Sequence, residues 1–219
     1  MSMVFNGVSK AYGRRAVICH LQADLPCGVH HIHADNGAGK TTLLQLAVAL
    51  AKPTWGEISW FGSSLSDSIR TRRAAAAFCP ADPSFYDSAS VSDAIRAYRS
   101  MHCLDDLRDP FSGFDPFDLS DWRDSRFGSL SFGWRKRVLL HMVFCARPDI
   151  MALDEPTVGL DATGLAALSS LIAARRRDTI TIIAGHGGVA SELGFGMSHS
   201  LSTAGVGISR RTTLRVEGT

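Results

Sequence analysis

The run Ala34-Asp35-Asn36-Gly37-Ala38-Gly39-Lys40-Thr41-Thr42 constrains the fold of this chain more than any other stretch. It follows Val29-His30-His31-Ile32-His33, an alternating run that predicts a strand, and precedes Leu43 to Leu50, which predicts a helix with a broad apolar face. A strand, a loop of small residues and a helix opening on Lys-Thr make a phosphate cradle. Gly37 and Gly39 let the backbone turn its N–H groups toward one point, and the helix N-terminus adds partial positive charge. Lys40 is long enough to reach terminal phosphates, and the Thr41 hydroxyl can ligate Mg²⁺. One position departs from the P-loop pattern: Ala34 stands where its first glycine is expected.

A chain of 219 residues is long enough for one domain with a substantial core, and 45% hydrophobic with 20% charged residues is ordinary for a globular protein. The formal net charge of +2 gives no reason to expect a nucleic acid partner. No apolar run approaches the roughly 18 residues of a membrane span, and Met1 to Ser9 lacks the apolar centre of a signal peptide. Cys19, Cys27, Cys79, Cys103 and Cys145 are odd in number and scattered, which suits a reducing cytoplasm better than a disulfide framework or a zinc site.

Along the chain, Val4 to Val8 predicts a first strand and Ala16 to Ile18 a second. Tyr12, beside the turn residue Gly13, offers either a flat ring to a nucleotide base or a packing aromatic in a β-layer. His30, His31 and His33 fall on both faces of one strand, which argues against a shared metal. Ile58 to Phe61 predicts a returning strand, Ser63 to Arg73 a loop plus a short helix, and Ala74 to Cys79 a central strand stopped by Pro80. Val91 to Leu104 has helical spacing, and Asp105 to Asp124 predicts short helices whose aromatics, Phe111, Phe114, Phe117 and Trp122, face outward or toward a partner. The region from Val91 to about Gly128 therefore reads as a helical insertion.

Ser131 is a candidate N-cap for a buried helix running to about Ala146, and Pro148 bars its continuation. Ile150 to Leu153 predicts a fully buried strand that ends in Asp154-Glu155. Beside a phosphate cradle, Asp154 can hold Mg²⁺ through a water, and Glu155 is placed to take a proton from an attacking water. Leu165 to Arg177 predicts a helix with a basic end, and Thr179 to Ala184 a buried strand leading to His186, at the end where α/β sheets bind ligands. The tail from Ser198 to Val216 predicts short strands around Gly205 and Gly207.

In this order the motifs resemble the nucleotide-binding domain of ABC transporters across nearly the whole chain: Tyr12, Ala34 to Thr42, the insertion, Leu130-Ser131-Phe132-Gly133, Ile150 to Glu155, Gly159-Leu160-Asp161 and His186. The resemblance implies an α/β P-loop NTPase core with a mostly parallel sheet, an N-terminal antiparallel β-layer and a helical insertion. It implies a single domain over 1–219, with 1–80 and 130–219 as β-layer and core and 81–129 as Q-loop and helical subdomain. It further implies ATP and Mg²⁺ as cofactors. Tyr12 would stack on adenine; Asn36, Gly37, Ala38, Gly39, Lys40, Thr41 and Thr42 would bind phosphates. Thr41 and Asp154 would hold the metal, Glu155 would polarise water, and His186 would contact the γ-phosphate. Ser131 and Gly133 would meet the ATP of a second nucleotide-binding domain, with Asp161 at the seam of that homodimer or heterodimer.

The implied function is the ATP-hydrolysing subunit of a transporter, exporter-like, separately encoded, cytoplasmic and peripheral on the inner face of the cell membrane. It would touch the membrane only through a transmembrane permease. Two alternatives stay open: a soluble regulatory or assembly ATPase without a permease, and an ATP-binding subunit that hydrolyses little. Departures from the family pattern motivate the second. Trp134 stands where the signature has glutamine, and Ala81 replaces the glutamine that normally touches Mg²⁺, leaving Asp82 as the nearest polar residue. The missing amide is expected to loosen the segment from about Ala81 to Asp87.

Overall fold

Buried apolar residues recur along two long first strands, with register shifts between Phe5 and Val8, Val8 and Lys10, and Lys10 and Ala11. β1 (Ser2–Tyr12) and β2 (Arg15–Pro26) form a hairpin through Gly13, and Met3, Phe5, Val8, Ile18, Leu21 and Leu25 turn inward and are buried. The computed structural model describes residues 2–64, 75–102, 109–175, 177, 179–185, 193, 197–204 and 211–216. β1 also pairs with β4 (Trp55–Trp60), which pairs with the short β5 (Ser63–Ser64), giving an antiparallel sheet in the order β2-β1-β4-β5. Most of the Ser63 to Arg73 stretch lies outside the described residues.

A second sheet contains β3 (Gly28–His33), β6 (Ala76–Cys79), β7 (Ile150–Asp154), β8 (Ile180–Ala184), β9 (Met197–Ala204) and β10 (Arg211–Val216), in the order β10-β9-β3-β8-β7-β6. Only β9 and β10 are antiparallel; the other neighbours run parallel. Parallel strands are covered on both faces, and every residue of β7 and β8 is buried. The tail strands are the β9–β10 pair, with Gly205 and Gly207 outside the described residues.

β6 corrects one expectation. It pairs with β7 alone among the described residues and closes the sheet at its edge instead of lying centrally. An apolar run reports that the faces of a strand are covered; it says nothing of the strand's place in the hydrogen-bonding order.

The histidines of β3 show the same effect. His30 and His31 are both buried because β8 and β9 flank the strand and both its faces are covered. His30 Nε2 lies 2.8 Å from the Pro26 carbonyl, which can only accept, so that nitrogen carries the proton and Nδ1 accepts from His199 Nε2 at 3.0 Å. Among the described residues no group of three His, Cys, Asp or Glu side chains could hold a metal ion.

Helix α1 (Lys40–Ala47) follows β3 and ends short of Leu50, because Ala49 takes φ 58°. In the insertion, α2 (Val91–Met101) is capped by Ser90, whose hydroxyl accepts from the Asp93 amide at 3.1 Å. Beyond it the described insertion holds only single 3₁₀ turns at Ser120–Trp122 and Phe127–Ser129. Its aromatics do not all face outward as expected. Phe111 and Phe117 are buried in one apolar cluster with Ile95, Phe127, Val138 and Met151, each burial worth about 2–3 kcal/mol. The insertion thus shares its core with β7 and with helix α3 (Phe132–Cys145). Helix α4 (Ala162–Arg175) starts three residues before the predicted Leu165.

Cys19, Cys27, Cys79 and Cys145 are free thiols, and Cys103 lies outside the described residues. Among the described residues no helix is long and apolar enough to cross a membrane.

Candidate functional site

The turn from β3 into α1 is built on two left-handed glycines, Gly37 at φ 80° and Gly39 at φ 103°. A Cβ on Gly39 would lie 2.9 Å from Val17 Cγ1 and 3.1 Å from Ile18 Cδ1, so β2 leaves room only for glycine there. Ala34 is not among the residues with positive φ, and its methyl meets no conformational penalty. Its carbonyl accepts from Lys40 Nζ at 2.7 Å, a bond that needs no particular side chain at Ala34. Gly39 caps α1 without any side-chain acceptor. The first amides of the helix therefore have no capping side chain at its positive end, an arrangement that suits a phosphate.

The Thr41 hydroxyl donates to Asp154 Oδ2 at 2.6 Å and so joins the start of α1 to the end of β7. Glu155 follows at φ 46°, with its amide donating to the Ala184 carbonyl at 2.8 Å. A left-handed residue other than glycine carries a strain of about 1–3 kcal/mol and is concentrated at functional positions.

Tyr12, Asn36, Gly37, Gly39, Lys40, Thr41, Thr42, Asp154 and Glu155 line one open cavity of about 460 Å³, which Arg15, Val17 and Ala81 complete. That volume lies within the range of small-molecule sites. The Tyr12 ring is half exposed, with Lys10 Nζ 4.9 Å from its centroid. A second cavity, about 540 Å³ between the end of α1, β6 and α2, is lined mainly by apolar residues and has no such convergence of phosphate donors and carboxylates.

Ser131, Gly133 and Asp161 do not line the cradle of their own chain. Ser131 caps α3, accepting from the Trp134 amide at 3.4 Å. Gly133 lies against the backbone of Gly159. Asp161 Oδ1 accepts from the Gly164 amide at 2.8 Å, from the Thr163 hydroxyl at 2.7 Å and from Arg137. The Gly164 and Thr163 bonds, with the guanidinium beside them, hold its carboxyl down at about 2. Ala38 donates its amide to the Asp35 carbonyl at 3.2 Å within the loop. His186 lies outside the described residues.

Three contributors were not singled out from the sequence. Arg15 and Val17 belong to β2 and reach the cradle only because the β-layer folds over it. Lys136 sits in the basic run at the start of α3, but its neighbours point elsewhere: Arg135 donates to the Gly128 and Leu130 carbonyls and Arg137 to Asp161. Lys136 is buried, and its ammonium donates to the carbonyls of Pro80 (2.8 Å), Ala81 (3.1 Å) and Asp154 (3.1 Å). Burial lowers its pKa, while Cys79, Asp154, Glu155 and Asp82 act in the opposite sense. The segment after β6 is thus held at Ala81, and at its other end the Gly128 amide donates to the Asp87 carbonyl at 3.0 Å.

A family model described as ABC transporter matches residues 24–158. The bacitracin transport ATP-binding protein BcrA of Enterococcus faecalis is 26% identical over 183 residues, which cover 80% of this chain and 58% of that protein. The Nod factor export ATP-binding protein I of Burkholderia orbicola is 32% identical over 163 residues, 72% of this chain and 53% of that protein. This chain therefore spans little more than half the length of either. Among solved structures, an ATP-binding subunit of an ABC transporter superposes with TM-score 0.81 at 21% identity, covering 92% of this chain and 86% of that one. A dimeric ATP-binding cassette in a post-hydrolysis state with ADP and phosphate gives TM-score 0.79 at 18% identity, covering 91% and 94%.

Proposed function

The chain belongs to the ABC transporter family and has its ATPase-domain fold, and from that premise we propose that it binds and hydrolyses ATP to drive transport through a separate permease. One observation carries the reading: the Gly37–Gly39 loop, Lys40, the Thr41–Asp154 pair and Glu155 converge on one cavity edged by Tyr12. The uncapped amides at the start of α1 and the Lys40 ammonium suit a triphosphate. The hydroxyl of Thr41 and the carboxylate of Asp154, already in contact, are oxygen donors suited to Mg²⁺, which would supply charge neutralisation when bound.

Tyr12 orients the base by stacking, and Lys40 exchanges the Ala34 carbonyl for phosphate oxygens. Glu155, one residue past the Asp154 carboxylate, takes the proton of an attacking water. His186 is assigned a contact with the γ-phosphate by the family pattern. Ser131 and Gly133 do not line the cradle of their own chain, which supports their serving the nucleotide of a second domain, with Asp161 near that seam. The dimeric cassettes of the same fold support such a pairing. The relative named for Nod factor export supports an exporter subunit, which we place on the cytoplasmic face of the membrane.

The test is Glu155→Gln in the full chain: ATP affinity is expected to stay within a few-fold of wild type while hydrolysis slows by at least about 10²-fold. Undiminished hydrolysis removes Glu155 from the mechanism. Co-purification with a membrane protein separates the transporter subunit from a regulatory ATPase. Ala81 lines the cavity and has no side-chain amide, which keeps the weakly hydrolysing subunit as a second reading, decided by steady-state turnover of the assembled complex.

A further inference from the structure

We propose that Lys136 is a positioning residue of the ATPase site, tying the chain after β6 to the Asp154 end of β7 in place of a side chain that Ala81 cannot supply. The inference rests on the ATP-hydrolysing reading above. An ammonium has three N–H groups, and Lys136 Nζ has three carbonyl acceptors, on Pro80, Ala81 and Asp154. The side chain is fully buried, so each proton left without an acceptor would be costly, and the match of three to three accounts for the charge being tolerated there.

The acceptors lie at the same ends of two neighbouring parallel strands. One of them is the carbonyl of Asp154, whose carboxylate accepts from Thr41 and whose next residue is Glu155. The position of Nζ therefore bears directly on the backbone that aims both carboxylates. Ala81 itself lines the cavity, and its carbonyl is the polar link from that loop to the site. Lys136 also shares α3 with Ser131 at the start of the helix. Any displacement of α3 must carry the β6 and β7 ends with it or break these bonds. A merely structural buried lysine would need the three acceptors for satisfaction, but its loss would not be repaired by an amide at Ala81.

The experiment compares the wild-type chain, Lys136→Met, Ala81→Gln and the double variant for kcat, KM and ATP affinity, each first checked for folding by thermal melt. We expect Lys136→Met to lower kcat about tenfold or more with ATP affinity changed less than about threefold, since a shift below 1 Å at a catalytic group suffices for that. Ala81→Gln is expected to raise kcat by a factor at least about threefold larger in the Lys136→Met background than in the wild type, the non-additivity of a shared role. An unchanged kcat in folded Lys136→Met overturns the inference, as does a loss that Ala81→Gln leaves untouched. If Lys136→Met does not fold, Lys136→Gln takes its place: lowered kcat at constant ATP affinity supports the tether, and unchanged kcat overturns it. A wild-type chain that binds no ATP overturns the parent reading instead, and the inference with it.

Discussion

Replacing Gly133 by alanine is expected to destabilise the protein, although local propensity points the other way. Gly133 is the second residue of α3 and does not have a positive φ, so alanine is the better helix former there by up to about 1 kcal/mol. The opposing effect comes from a distant part of the chain. A Cβ on Gly133 would lie 2.3 Å from the Gly159 carbonyl oxygen, about 0.7 Å inside the 3.0 Å below which real Cβ atoms are essentially never found. The obstacle is backbone, and it belongs to a turn already tied by Val158 to the Glu155 carbonyl (3.4 Å) and by Leu160 to the Thr157 carbonyl (3.1 Å). Overpacking against backbone at so short a distance falls in the upper part of the usual range, about 2–3 kcal/mol, which exceeds the propensity gain. The net loss is about 1–2 kcal/mol, or a fall in Tm of about 2–8 °C for a protein of this size. The assay is thermal unfolding followed by circular dichroism, with ATP turnover measured in parallel, because the displaced turn begins at Glu155. Gly113→Ala serves as the comparison: φ is 75° there with nothing within 4 Å of a Cβ, so it carries conformational strain without a clash. A Tm for Gly133→Ala equal to or above wild type would refute the reasoning.

Two further predictions concern pH and assembly. Burial lowers the pKa of His30, and takes His141 and His199 to about 4, so the unfolded chain binds protons that the folded one refuses. The resulting stability is complete above the unfolded value of about 6.5 and is lost as pH falls toward about 4, by the order of 2–3 kcal/mol for His141 alone. Denaturant titrations between those pH values should show a falling midpoint, with a shallower slope in His141→Phe; a flat profile contradicts the assignment. Ser131→Arg should leave ATP binding intact but prevent the ATP-dependent dimer that Glu155→Gln is expected to trap, as read by light scattering. A dimer that forms regardless removes Ser131 from the interface.

Segments with a short repeat are legible in the amino-acid order alone. Val29 to His33, Ile150 to Leu153 and Thr179 to Ala184 declare themselves as strands, and Ser131 as a cap, because each depends on neighbours within one turn or one strand. Of the proposed site, the loop from Asn36 to Thr42 and the Asp154-Glu155 pair are readable for the same reason. The edge position of β6, the inward turn of Phe111 and Phe117, and the burial of both His30 and His31 are not. Each is set by what covers the element, and no periodicity within the element records that.

By itself the sequence determined the glycine turn ahead of α1: two glycines, a lysine and a threonine at set spacing encode a backbone conformation and a donor set suited to phosphate. It also determined the order of motifs, and hence the family. Only the tertiary structure decided which groups meet. Thr41 touches Asp154 across 113 positions, Lys136 reaches Ala81 across 55, and Gly133 is held to glycine by the carbonyl of Gly159. Hydrogen bonds and close approaches act over about 3 Å of space, whereas sequence patterns report on neighbours along the chain, so contacts between remote segments become readable only once the sheet has brought their ends together.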